Sequence, residues 1–327
     1  MTAATTSWRT HARRAVVVTP APRGSRSGNR TTALRWAAML RALGLAVRVR
    51  QEWCGEPCEV LIAVHAVKTA GSVLAALRAH PALPIVVLLA GTDVYPRFSP
   101  DADAAAALDR ANALIALQPF AAHTLPPHLA AKVRTIVQSA TPCARARPAG
   151  VFRSCVLAHL RPVKDPLLPV RALAALPREL AIELHFAGRA LTADLAAAMT
   201  TAAAADPRVR WHGELSRRAA RELLASSHLC VVPSAAEGGA NVVSEAIASG
   251  TPVAGTAIPG NLGLLGDDWP ATFAVGDADG LARVLARAAT DPGFYTSLVE
   301  RTRALQPMVE PRREMAEWRR LLGDLGV

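Results

Sequence analysis

The sequence predicts an α/β protein built from two parallel, doubly wound sheets. Short runs rich in β-branched residues alternate with helical patterns from end to end, which makes the helices crossovers between parallel strands. At 327 residues the chain has the length of two domains, taking about 150 residues as the usual size of one. Near its middle, TPCARARPAG (residues 141–150) interrupts the alternation with Pro, Arg and small residues and reads as a linker.

Taken in order, strands are predicted over residues 14–19, 45–50, 59–64, 85–90, 113–117 and 133–137, then over 154–160, 181–187, 208–212, 228–232 and 252–256. Residues 1–13 read as a disordered tail, 14–143 as the first domain and 144–309 as the second. The first strand, a Gly/Ser/Arg loop, a helix and the next strand make one βαβ unit, with Leu34, Ala37, Ala38 and residues 40–43 as the buried face of the helix. Residues 310–327 carry Met315, Trp318, Leu321 and Leu322 at helical spacing. That helix either returns to the first domain or packs on its own.

Chemistry concentrates in HLCVVPSAAEGGANVVSEAIASGTPV, residues 228–253. HLCVVPS reads as a buried parallel strand followed by a loop. Gly238 and Gly239 lack a Cβ and let the backbone approach a ligand. A helix starting near Asn241 presents amides with no partner inside the helix, and these suit a phosphate. Val243 with Ile247, and Val242 with Ala246, give the helix a buried stripe and leave Glu245 on another face. Two carboxylate oxygens on Glu245 can accept both hydroxyls of a ribose, and Glu237 can reach hydroxyls of a second ring. The same glutamates also satisfy the ordinary preference for acidic residues near a helix start.

A second turn, in VLAHLRPVKDPLLPVRAL (residues 156–173), carries Lys164. The chain has only three lysines, Lys68, Lys132 and Lys164, against 34 arginines, so a retained lysine points to a need for a compact ammonium. At a strand-to-helix turn it can neutralise a departing diphosphate; a solvated surface lysine is the alternative. In the first domain, Arg23, Arg26 and Arg30 surround Gly24 and Gly28, forming either a basic anion-binding mouth or a flexible surface loop. That loop is neither a P-loop nor a dinucleotide fingerprint. His65, after the strand LIAV, is a candidate acid/base, a substrate-orienting group or a structural histidine.

The HLRPVK turn, two further strand-helix units and E-x7-E resemble the C-terminal half of family 4-like glycosyltransferases with the GT-B fold. Three strings, TPAPRGSRSGNRTTALRWA, LIAVHAVKTAGS and EGGANVVSEAIASGTPVAGTAIPGNLGLLG, with GTDVY at residues 91–95 in support, are similar to the selenosugar synthases of the selenoneine pathway, the SenB family. That similarity runs over roughly residues 15–325. It implies two Rossmann-like domains facing a cleft, the first taking the acceptor and the second a UDP-sugar. The implied reaction joins the selenium of selenophosphate to the anomeric carbon of UDP-N-acetylglucosamine or UDP-glucose and releases UDP. On this resemblance Glu245 meets the ribose and Lys164 the diphosphate, while Glu237, Gly238, Gly239, Ala240, Asn241 and Val242 meet the sugar and phosphates. Many members carry arginine where this chain has His159, so the second cation is assigned to Arg161. Gly28, Asn29 and Arg30 are expected at selenophosphate, with Thr92 and Asp93 bordering sugar or acceptor.

Composition narrows the alternatives. The net charge of +11 suits anionic ligands, but the arginines are dispersed, aromatics are few and no nucleic-acid-binding motif appears, so nucleic acid is not expected as a partner. Charged residues or prolines break each apolar run before the roughly 20 residues that span a bilayer, and no signal-peptide core follows the N-terminus. Cytoplasm is the default compartment. Five cysteines, an odd number, argue against a disulfide scaffold; Cys143, Cys155 and Cys230 read as buried small hydrophobes, and Cys54 and Cys58 lack a second ligand pair for zinc. Asp101 and Asp103 suit a helix cap rather than a metal. Neither cofactor nor metal is expected. A glycosyltransferase with another acceptor, and a non-catalytic nucleotide-sugar-binding protein, are the competing readings.

Overall fold

The computed structural model describes residues 13–95 and 97–327. The expected tail, residues 1–13, therefore lies outside the described residues except for Arg13.

The first sheet comprises β1 (Arg14–Val18), β2 (Ala46–Arg50), β3 (Val60–Val64), β4 (Ile85–Leu88), β5 (Ala113–Ala116) and β6 (Val133–Thr135). Between them run α1 (Gly28–Ala42), α2 (Ala66–Ala79), α3 (Gly91–Val94), α4 (Ala102–Arg110) and α5 (Pro127–Ala130). The second sheet comprises β7 (Phe152–Leu157), β8 (Ile182–Ala187), β9 (Val209–Trp211), β10 (Leu229–Val232), β11 (Val253–Thr256) and β12 (Thr272–Phe273). Its helices are α6 (Leu168–Ala174), α7 (Ala193–Ala205), α8 (Arg217–Ala225), α9 (Asn241–Ala248), α10 (Pro259–Leu265), α11 (Ala278–Thr290), α12 (Pro292–Leu305) and α13 (Pro311–Asp324). All strand pairs are parallel. Both faces of each sheet are covered, which is why strands such as VLIAV and LCVV are apolar throughout and fully buried.

Strand order is β2-β1-β3-β4-β5-β6 in one sheet and β12-β11-β10-β7-β8-β9 in the other. Each is doubly wound, and each reverses direction once: between β1 and β3, and between β7 and β10. At such a switch point the loops leaving the carboxyl ends of the two strands diverge and open a crevice, where ligands of this architecture bind.

Three local readings change. Leu34, Ala38, Arg41 and Ala42 are exposed, and the buried face of α1 is instead Thr32, Ala33, Trp36, Ala37, Met39 and Leu40; the bulk of Trp36 sets the helix's rotation. β7 starts at Phe152 and ends at Leu157, because the chain then leaves the sheet and makes only an isolated bridge from Leu160 to Ala190. β12, two residues long, was below the length at which alternation is readable.

Helix α13 packs on the first domain. Trp318 is fully buried with its ring 4.9 Å from that of Trp36, edge to face, and Leu321 and Leu322 join the same core as β1, β3 and α1. No described helix is long and apolar enough to cross a membrane.

Candidate functional site

The sequence-derived candidates follow four strands that flank the two switch points, or the neighbouring β4. Gly28, Asn29 and Arg30 follow β1, His65 follows β3, and Thr92 and Asp93 follow β4; Arg161 and Lys164 follow β7, and Glu237 to Glu245 follow β10.

In the second domain, Lys164 ends a 3-10 turn over Pro162–Lys164 whose Val163 carbonyl accepts from the Ala235 amide at 2.9 Å. That bond pins the turn to the loop after β10. Lys164 Nζ donates to Glu237 Oε1, which also accepts from Ser234 Oγ at 2.6 Å. Two residues expected at different parts of the donor are thus ion-paired with each other, and a diphosphate entering here competes with Glu237 for the ammonium. Glu245 has no ion pair with a described residue. Burial pushes its carboxyl above the ordinary range, against the pull of Arg217, Arg35 and Arg221. An unpaired carboxylate at this depth is a ready acceptor for ligand hydroxyls. Asn241 opens α9, and its Nδ2 is the nearest atom, at 3.7 Å, to the place where a side chain on Gly28 would project. The amino ends of α1 and α9 therefore face each other across the cleft, one from each domain. Ala240 is buried at the cap and Val242 half-buried.

The first domain contributes a strained histidine. His65 has φ 87°, a conformation rare outside glycine. The His65 carbonyl accepts from Thr69 Oγ1 at 2.8 Å, and Asp93 fixes the following amides: its Oδ2 accepts from Ala66 and Ala90 N–H, each at 2.8 Å, and Oδ1 from Val67 N–H at 3.2 Å. His65 Nδ1 lies 2.7 Å from Asp93 Oδ1 but off the direction of a hydrogen bond, so this is an electrostatic contact. Thr92 Oγ1 and His65 Nε2 are hydrogen-bonded at 3.2 Å. Asp93 was expected to border sugar or acceptor; its side chain is 1% exposed and wholly used in these contacts, so it holds His65 instead. Thr92 is exposed beside the imidazole. Arg30 Nε is buried without a hydrogen-bond partner, Asn29 is half-buried and Gly28 exposed.

The glycines take on a second role. A Cβ on Gly238 would lie 2.6 Å from the Gly91 amide nitrogen, and one on Gly91 would lie 2.5 Å from the Gly238 nitrogen. Gly239, at φ 125°, would place its Cβ 2.6 Å from that of Leu117. Where a close approach by ligand was expected, backbone of the first domain is what occupies the space.

Charge converges on the same cleft. Arg26 donates to the Leu215 carbonyl at 3.1 Å and lies 3.8 Å from Glu214, tying the basic loop to the second domain. His159 has its pKa lowered by burial and by the nearby Arg189, Arg161 and Arg26, against Glu214. Arg161 is exposed at the turn. Arg35, on α1, donates to Asn241 Oδ1 at 3.1 Å. Sequence reading missed Arg35, Ser234 and Glu314; Arg35 stands among 34 arginines with no motif around it, and only its position on the cleft side of α1 distinguishes it. A separate cavity of about 490 Å³, lined by Arg145, Arg147, Ser249, Gly250 and Arg303, lies at the far end of α9 from these groups.

This architecture, with both switch points opening on one cleft, is the GT-B fold. Residues 145–305, within the second domain, match the family described as Glycosyl transferases group 1. Solved structures agree in fold. Sucrose-phosphate synthase from Thermosynechococcus elongatus has a TM-score of 0.80 at 17% identity, covering 96% of this chain and 99% of that one. HepE from Anabaena in complex with UDP gives 0.74 at 15%, covering 95% and 100%. A UDP-forming trehalose-phosphate synthase from Burkholderia xenovorans, in complex with glucose-6-phosphate, gives 0.67 at 13%, covering 82% and 74%. No curated protein matches the sequence.

Proposed function

We propose that the chain is a UDP-sugar-dependent glycosyltransferase whose acceptor is selenophosphate, a selenosugar synthase of the SenB type. The observation that carries the transferase part is that a half-buried Glu245 with no ion pair among the described residues, the Lys164–Glu237 pair and the amino end of α9 all follow the strands at the switch point of the second domain, which matches the group 1 family. HepE, similar in fold, is known in complex with UDP and with UDP-glucose. The selenium part rests on the three quoted strings and on the basic loop at Arg23, Arg26 and Arg30.

In this reading Glu245 accepts the ribose hydroxyls and the α9 amides receive the diphosphate. Lys164 exchanges Glu237 for the diphosphate, and Arg161 supplies a second cation. Glu237, released from Lys164, accepts sugar hydroxyls. These cations offset the charge that grows on the leaving group, so that side chains of the protein carry the stabilisation. Selenophosphate enters over Gly28, Asn29 and Arg30. Its selenium supplies the electron pair for the new bond to C1, and the bond from C1 to the UDP oxygen breaks with its pair on oxygen. The nucleophile is already anionic and needs no proton removed, which assigns His65 to orientation rather than to strong base catalysis. The first product is a seleno sugar still phosphorylated on selenium; water then removes the phosphoryl group, on the protein or in solution.

The test is incubation with selenophosphate and a panel of UDP-sugars, following UDP and seleno sugar by mass. The reading expects both products in equal amounts. UDP release with a thiol or alcohol but not with selenophosphate moves the chain to another acceptor, and tight UDP-sugar binding with no release under any acceptor makes it a binding protein.

A further inference from the structure

Arg35 lies in the first domain, yet it touches three separate parts of the chain. Its NH1 donates to the Ser139 carbonyl at 3.3 Å, after β6, and to Asn241 Oδ1 at 3.1 Å, at the start of α9. Its Nε lies 3.5 Å from Glu314 Oε1 on α13. Glu314, itself 1% exposed, is saturated from the other side: Trp36 Nε1 donates to Oε1 at 2.8 Å, and Ser139 donates to Oε2 through its amide at 2.7 Å and its hydroxyl at 2.5 Å. The guanidinium is thus fixed by the first domain, the linker side and the terminal helix before it reaches the second domain.

What it holds there is the side-chain amide of Asn241. An amide whose oxygen is engaged by a guanidinium has only its NH2 left to offer, and that NH2 is a donor. In this structure Nδ2 is the atom facing Gly28, in the gap between the amino ends of α1 and α9. Free to rotate, Asn241 would present oxygen or nitrogen there alike, and an oxygen would repel a phosphate. Arg35 Nε and NH2 are buried with no hydrogen-bond partner, so NH1 makes the hydrogen bonds to Ser139 and Asn241 while the Glu314 charge lies 3.5 Å from Nε.

We propose that Arg35 is a positioning residue for donor binding: anchored by Glu314 and Ser139, it locks the Asn241 amide with Nδ2 toward the ligand diphosphate, and does so only when the two domains are closed. This rests on the donor reading above, and goes beyond it by making phosphate recognition in the second domain depend on a residue of the first.

The experiment is calorimetric titration of the purified chain with UDP and, separately, with uridine, which needs no acceptor. Arg35→Lys keeps the charge but cannot span Ser139, Asn241 and Glu314 with one planar fork. It is expected to weaken UDP about tenfold, the loss of one charge-assisted hydrogen bond, and to leave uridine unchanged. Because the role is exercised through Asn241, Arg35→Lys combined with Asn241→Ala should bind UDP as Asn241→Ala alone does. Asn241→Asp keeps an acceptor for Arg35 and leaves the Glu314 contacts untouched, so it tests the amide even if Arg35→Lys folds poorly; it should lose UDP affinity more than tenfold and keep uridine. Wild-type UDP affinity in either single variant, equal loss of UDP and uridine, or losses that multiply in the double variant overturn the proposal while leaving the donor reading intact. A wild-type chain that binds neither UDP nor uridine overturns the donor reading, and this inference with it.

Discussion

Replacing Asp93 with Asn keeps the shape of a buried side chain and removes half of its capacity to accept. Asp93 accepts three hydrogen bonds, from the Ala66, Ala90 and Val67 amides, and lies 2.7 Å from His65 Nδ1. If the new NH2 took the place of Oδ2, it would face the Ala66 and Ala90 N–H groups, both at 2.8 Å, and two buried donors would be orphaned. In the flipped arrangement NH2 takes the place of Oδ1. It then opposes only the weaker Val67 contact, at 3.2 Å, because His65 Nδ1 on that side makes no hydrogen bond to lose. The second arrangement costs less. One orphaned buried N–H is worth about 1–3 kcal/mol, and loss of charge assistance on the remaining two amide bonds adds about 1 kcal/mol each. The sum, about 3–5 kcal/mol, is a large part of the stability of an ordinary domain. It should appear in urea unfolding as a lower midpoint with unchanged slope. A stability loss below about 1 kcal/mol would refute this account of how the turn at His65 is held.

Lys164→Ala should lower turnover at least tenfold to a hundredfold, the range expected when a charge-assisted contact to the leaving group is removed; near-normal release of UDP would take Lys164 out of that role. Gly238→Ala forces a methyl to 2.6 Å from the Gly91 backbone, an overlap of the kind that costs about 1–3 kcal/mol, so the cleft should close less completely; small-angle scattering in saturating UDP should show a larger radius than the wild type, and an equal radius would contradict the contact. His185, on β8, and His212, just after β9, lie 3.0 Å apart, and each has the pKa lowered chiefly by burial, reinforced at His212 by Arg210 and Arg153 and at His185 by Arg153 against the pull of Glu183. The unfolded chain therefore binds more protons as pH drops below the ordinary histidine value of about 6.5, and stability falls there until the folded-state pKa is passed. Thermal midpoints from pH 7.5 to 5.5 should decline more steeply for the wild type than for His212→Asn, and parallel profiles would sink the assignment.

Much of this molecule was legible in one dimension because its signals are local. A strand buried on both faces is an unbroken apolar run, so VLIAV and LCVV declare themselves. The loops that leave such strands are short, so Lys164, Glu237, Glu245 and His65 had to emerge at carboxyl ends once the alternation was recognised. Phasing was less secure: α1 turned out to bury Ala33 and Trp36 and to expose Leu34, because a helix of alanines has little preference for one face until a large side chain meets its partner, here Trp318 nearly 300 residues away in the chain.

From the sequence alone came the two doubly wound sheets, the linker region and the strand ends that carry the candidate groups, all consequences of hydrophobic period and turn chemistry between near neighbours. Only the tertiary structure decided that Lys164 and Glu237 are paired, that Asp93 serves His65 and not the cleft, that Gly238 makes room for Gly91, and that Arg35 reaches Asn241. Each of these joins residues far apart in the chain. Which partner a buried charge or a missing Cβ meets is set by how two sheets dock, and no short-range pattern encodes that.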